Sequence, residues 1–373
     1  MEAPPRRAWR PPAAVAALLL LLSLLLPLLL SPCLNPRSGA ALAAPGAVAE
    51  APRPAAPPGS LTVLVGMYVR NIYGLSLRDQ TFKVDGLYWL RVSPTLQALL
   101  QRRGISPLQM VQFVNQVDPW DGVIEQVEAD PPPGPDGSRL FSFRFAANFY
   151  VDEIDQRRSP FEWIHLPLIL ETNLESLNEQ DPRVRLLPES GSSRGLLGDY
   201  SSNYGYQLRR VSVRPSEHRY PTRFGSNRDH TSSRIELLID YAPDPWAMFA
   251  QWILPLLLVM GLVLLAPSLD VTLRDARLAI PPTALLTLVF LQQSYKAELP
   301  PTSYLTFLDH LYTYGYAVSV GLFVLFLWDS NQMEAVTEGQ RQQLIRRINR
   351  VDLRCQLGAL AGLVVVALIA WYR

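Results

Sequence analysis

The sequence predicts an all-β, immunoglobulin-like extracellular sandwich followed by a four-helix transmembrane bundle. Three observations carry that expectation. The stretch 61–243 is polar and built of short alternating runs, with no helical period of any length. Behind it, 244–373 holds four apolar segments at 246–266, 278–295, 304–328 and 353–372, each near the ~20 residues a helix needs to cross a bilayer. Ahead of it, 1–43 has the layout of a secretory signal.

In chain order, Arg6, Arg7 and Arg10 precede an apolar run at 18–30, and Ala41-Leu42-Ala43 offers a small-x-small cleavage site. An uncleaved anchor helix is the other reading, because apolar residues begin at Ala13. Residues 44–60 are rich in proline and alanine and read as a lead-in. Strand-like runs follow at 61–72, 81–92, 108–117, 139–150, 162–170, 204–213 and 233–241. Turn material separates them: Gly74, Arg78-Asp79, Pro131-Pro132-Pro133-Gly134, Gly191-Ser192-Ser193 and 221–227. The two cysteines, Cys33 and Cys355, both lie outside this region. The sandwich is therefore expected to cohere by sheet packing, without a disulfide.

Among the apolar segments the second is the least uniform. It carries Thr283, Thr287, Gln292 and Gln293, with Arg274, Asp275 and Arg277 at its entrance. Ala279, Leu286 and Gln293 recur every seven residues, as do Thr283, Phe290 and Ala297. Both series fall on one helix face, and Asp275 continues it one turn below. Such a face suits water, or else a seam between helices. Pro281-Pro282 predicts a kink or a short unwound segment. Basic residues set the orientation: Arg274 and Arg277 lie in one link, and Arg341, Arg346, Arg347, Arg350 and Arg354 in or beside another. Those links are expected in the cytoplasm, making the chain a multi-pass protein of the cell (inner) membrane with its N-terminal domain periplasmic or extracellular.

Several function classes recede. A net charge of +1 argues against a nucleic-acid partner. The histidines His165, His218, His230 and His310 are scattered, and no HExxH, Gly-rich phosphate loop or GxSxG occurs. No enzyme activity, metal or cofactor is expected. His165 lies in a strand and reads as a packed or edge residue, while His218 and His230 read as loop residues.

Four blocks together carry a family likeness: Leu61-Thr62-Val63 through Thr81-Phe82-Lys83-Val84-Asp85; Pro160-Phe161-Glu162; Ile253-Leu254-Pro255; and the run from Asp275 through Glu298-Leu299-Pro300 to Tyr304-Leu305-Thr306. From Leu61 onward the chain resembles the prokaryotic pentameric ligand-gated ion channels, Cys-loop receptor relatives whose bacterial members lack the loop cysteines. The resemblance implies a homopentamer in the lipid bilayer whose second transmembrane helix lines a pore for permeant ions. The pore residues would be Asp275, Ala279, Thr283, Leu286, Phe290, Gln293 and Ala297. A ring of Asp275 carboxylates would favour cations, and apolar rings of Leu286 and Phe290 would gate by dewetting. Arg78, Asp79, Pro160, Phe161, Glu162, Lys296, Glu298, Leu299 and Pro300 would form the coupling interface.

The stimulus is an unidentified small ligand, or protons, for which Asp79, Asp152, Glu153, Asp155 and Glu162 are candidates; no ligand-binding residue is assigned. Three positions depart from the family pattern. Pro243 stands where an arginine is usual, Trp89-Leu90-Arg91-Val92 lacks an acid, and the tryptophan expected before Phe113-Val114-Asn115 is missing. A membrane-anchored, non-conducting receptor or binding protein of the same fold is the alternative, and a membrane enzyme a third.

Overall fold

The structure is a computed structural model that describes residues 61–152, 154–173, 184–189, 196–200, 205–222, 230–336 and 340–372. The expected signal (1–43), the lead-in (44–60) and Glu153 lie outside the described residues. The chain divides into a strand-rich unit, Ala41–Ile154 with Trp163–Asp244, and a helical unit that joins Asp155–Glu162 to Pro245–Arg373.

In the strand-rich unit the order is β1 (Leu61–Ser76), β2 (Thr81–Val92), α1 (Pro94–Arg103), β3 (Val111–Phe113), β4 (Gln116–Val117), β5 (Val123–Gln126), β6 (Arg139–Tyr150), β7 (Ile164–Thr172), β8 (Val184–Pro188), β9 (Leu197–Tyr200), β10 (Tyr206–Arg219) and β11 (Thr231–Pro243). Seven strands form one sheet with the path β4-β6-β2-β1-β8, β5 pairing with β6 and β9 with β1. The other sheet runs β10-β11-β7-β3 and is antiparallel. Period-two burial builds the core. Phe82, Val84, Tyr88, Leu90 and Val92 of β2 point inward, as do Phe141, Phe143, Phe145 and Phe149 of β6. Leu166, Leu168 and Leu170 of β7 and Ile235, Leu237 and Ile239 of β11 join the same cluster from the second sheet. Phe113 of β3 meets Tyr88 edge-on at 5.6 Å and Phe145 at 4.9 Å, so the two sheets share one aromatic core.

The expected fold class needs correction on three counts. The strand-rich unit is not all-β, because α1 lies within it. Its larger sheet is mixed, since β1 pairs with β8 and with β9 in parallel. The four-helix transmembrane bundle also falls short: among the described residues three helices are long and apolar enough to cross a membrane, Pro245–Ser268, Phe307–Glu334 and Arg341–Tyr372. The signals for α1 were present. Ser93 accepts the Leu96 amide as N-cap, Pro94 opens the first turn, and Gly104 at φ 67° closes the helix.

The helical unit contains α2 (Pro245–Ser268), α3 (Arg274–Ala297), α4 (Phe307–Glu334) and α5 (Arg341–Tyr372). Within α2 a π turn spans Phe249–Ile253, and the Leu254 amide reaches back to Phe249 O. The wider turn ends two residues before Pro255, whose missing N–H cannot join the ordinary ladder. α4 begins on a capping box: Thr306 accepts the Asp309 amide while the Asp309 carboxylate accepts the Thr306 amide. α2, α3 and α4 come close at Gly315, where a Cβ would sit 3.0 Å from Met260 Sδ and 3.1 Å from Leu288 Cδ1.

Candidate functional site: the free face of α3

α3 is the helix that fails the apolarity requirement, and its two faces differ sharply. Arg277, Pro281, Ala284, Leu288 and Tyr295 are buried, at spacings that return to one side of a helix. All seven positions expected to line a pore, Asp275, Ala279, Thr283, Leu286, Phe290, Gln293 and Ala297, are exposed in the single chain. Leu286 is 58% exposed and Phe290 66%, values matched on α2 by Leu258 at 61% and Leu262 at 65%.

The polarity of this face is less than the residue types suggest. Thr283 Oγ1 donates to Ala279 O at 2.8 Å and Thr287 Oγ1 to Thr283 O at 2.9 Å, turning both hydroxyl protons onto the helix's own backbone. Gln292 turns inward, donating to Asp309 Oδ1 at 2.7 Å and accepting from Tyr316 Oη at 2.5 Å. Gln293 stays exposed. No unwound segment occurs at the proline pair: α3 is helical from Arg274 to Ala297, with Pro281 on its buried side and Pro282 on its exposed side.

Charge at the start of α3 is sorted by face. Asp275 is exposed in the first turn, where the helix dipole favours a carboxylate. Arg274 pairs with Glu334 at 3.0 Å. Arg277 points the other way and is 2% exposed. Its Nη2 reaches Asp352 Oδ2 at 2.5 Å and Asp329 Oδ2 at 3.5 Å, and the guanidinium lies 4.4 Å from the Phe326 ring centroid.

The expected coupling residues fall in both units. Arg78 and Asp79 are exposed in the turn between β1 and β2, with Ser76 Oγ donating to Asp79. Pro160, Phe161 and Glu162 belong to the segment that joins the helical unit. Phe161 is buried edge-on against Trp371 of α5, at 5.9 Å between centroids, and Trp371 in turn meets Phe307 of α4 at 5.5 Å. The same segment is tied through its backbone, with Arg157 O accepting the Phe307 amide at 2.8 Å and the Gln156 amide donating to Tyr304 Oη at 2.9 Å. At the far end of α3, Lys296 pairs with the buried Asp309 at 3.2 Å. Glu298 is exposed, Leu299 half-buried and Pro300 buried.

In the strand-rich unit, Arg91 stands where an acid was expected and pairs with Glu189 at 2.8 Å; Trp89 Nε1 donates to the same carboxylate at 2.6 Å. That carboxylate comes from the residue directly after β8. His165 is half-exposed, with Nδ1 2.7 Å from Asp240 Oδ1, and Arg210 Nε donates to Asp240 Oδ2 at 2.8 Å. Burial pushes the Asp240 carboxyl up, but the hydrogen bonds and charges of His165 and Arg210 outweigh it and hold the group below its ordinary value. His218 rests edge-on against Tyr220 at 4.6 Å, and His310 Nδ1 lies 2.8 Å from Thr306 O.

Two charged centres of the helical unit escaped the sequence reading. Asp329 follows the apolar segment 304–328 directly and Asp352 directly precedes 353–372, so both fell just outside the expected spans. α4 and α5 run on past those bounds, to Glu334 and from Arg341, and enclose both acids. An ionisable residue on an apolar helix was the available signal. The chain matches no protein-family model, and a search of curated proteins finds no match either.

Proposed function

We propose that the chain is one subunit of a ligand-gated, cation-conducting channel assembled as a homopentamer, with the free face of α3 bordering the ion path. The observation that carries this reading is the exposure of the six heptad-spaced positions of α3, and of Asp275 one turn below them, while its other face is buried. A face mixing Asp275, Thr283 and Gln293 with Leu286 and Phe290 suits a water-filled path better than lipid. A ring of copies hides that face from lipid, which one subunit cannot do.

In this reading the arginine-bearing starts of α3 and α5 face the cytoplasm, and the strand-rich unit lies on the periplasmic or extracellular side of the inner membrane, where it meets a small ligand or protons. The segment 155–162, bound into the helical unit by backbone and aromatic contacts, is the route by which the stimulus reaches the helices. The test is cation flux into liposomes carrying the purified full chain, with acidification of the outer face as the first stimulus and a small-molecule screen as the second. Class averages should show fivefold rings. A monomer or dimer under all solution conditions refutes the pentamer. Fivefold rings that pass no current under any stimulus favour the non-conducting receptor instead.

A further inference from the structure

Buried charge in the helical unit does not balance. Among the described residues the buried carboxyl side chains are Glu171, Asp240, Asp309, Asp329 and Asp352. Glu171 has Arg234 to itself, Asp240 has Arg210 together with His165, and Asp309 has Lys296. Asp329 and Asp352 share one guanidinium, that of Arg277. All three side chains are at most 3% exposed, so water does not make up the difference. Asp329 Oδ1, Asp352 Oδ1 and Arg277 Nε are shielded from solvent and have no hydrogen-bond partner among the described residues.

Two ionised carboxylates here would leave one uncompensated charge among apolar groups, a costly arrangement, and two acceptors without a donor. One added proton removes the surplus charge and supplies a donor, because both carboxyl groups converge on the same Arg277 Nη2. We infer that Arg277, Asp329 and Asp352 form a binding site for a single exchangeable proton, held between the two carboxyl groups against the guanidinium.

Among the described residues no other group near the cluster fills that role. α2 carries no ionisable side chain. From α5 the Cys355 thiol senses both acids, and from the link before α3 the Asp270 carboxylate senses Arg277; neither brings a positive charge. Arg274 is engaged by Glu334. The site joins α3, α4 and α5 at the entrance of α3, on the side opposite Asp275. Its proton therefore keeps the start of α3 attached to two neighbouring helices, and its loss frees one negative charge there.

Infrared difference spectroscopy of the full chain in detergent, at about pH 8 where exposed carboxyls are ionised, reads this directly. The wild type should show a protonated-carboxyl C=O band that shifts in D2O. The band should vanish in Asp329→Asn and in Asp352→Asn, each of which leaves one carboxylate to one guanidinium. A wild type without the band overturns the inference and needs no variant to fold. A band retained in both variants places the proton elsewhere and overturns it too. Stabilisation by sodium at fixed pH with no band would make the site one for a metal cation, and would equally refute the proton.

Discussion

Replacing Leu286 by serine is the sharpest test of a dewetted constriction. Leu286 is 58% exposed on the free face of α3, with Phe290 one turn further along. Fully withdrawing a leucine side chain from water is worth about 1.5–3 kcal/mol, so the exposed share corresponds to about 1–2 kcal/mol in each subunit. In the proposed ring, that is the energy by which the side chain would oppose a continuous column of water. Serine removes it, and since about 1.4 kcal/mol is a factor of ten, the stimulus-free open fraction should rise at least about tenfold. The assay is potassium leak from liposomes with no stimulus applied, so it needs no knowledge of the ligand. Leu285→Ser, at the half-buried neighbouring position, is the control. A Leu286→Ser protein that assembles normally but leaks no more than wild type would refute the reasoning, as would a control that leaks equally.

Three further outcomes are expected. Asp275→Ala should move the reversal potential toward anions; an unchanged cation preference would place the filter away from the start of α3. Asp240 titrates below its ordinary value when folded, so its stabilising effect is present above the unfolded value of about 4 and is lost as pH falls through the lower folded value. Asp240→Asn should therefore flatten the acid limb of the melting curve measured from pH 3 to 7, and lower stability at neutral pH by about 1–2 kcal/mol; an unaltered acid limb would show that the pairing contributes nothing. Trp371→Ala removes the ring between Phe161 and Phe307 at a local cost of about 3–5 kcal/mol. It should open 155–162 to protease while the β core keeps its protection, and an uncut segment would count against the aromatic tie.

Much of the strand pattern was legible because one buried face per strand leaves a period of two, as in Phe82 through Val92 and Phe141 through Phe149. What stayed hidden was nonlocal or brief. The parallel pairing of β1 with β8 joins Leu61 to Val184, and no local pattern encodes such a partner. α1 spans Pro94–Arg103 and buries two residues, Leu96 and Leu100, too few to establish a period, although its caps were visible. On α3 the residues grouped by heptad spacing are all exposed in the single chain. The inward turn of Gln292 toward Asp309 could not be read, because it depends on a residue of another helix. The same holds for Arg277, whose two partners lie 52 and 75 residues away.

The bond from the Phe307 amide to Arg157 O has a consequence for how motion in this molecule can be followed. The first amides of a helix have no acceptor within it, and this one takes its acceptor from a segment more than a hundred residues earlier. Because the acceptor is a main-chain carbonyl, this bond does not depend on which side chain stands at position 157. Hydrogen exchange at one position, the Phe307 amide, then serves as a clock for the segment: each time 155–162 lifts, that proton meets solvent.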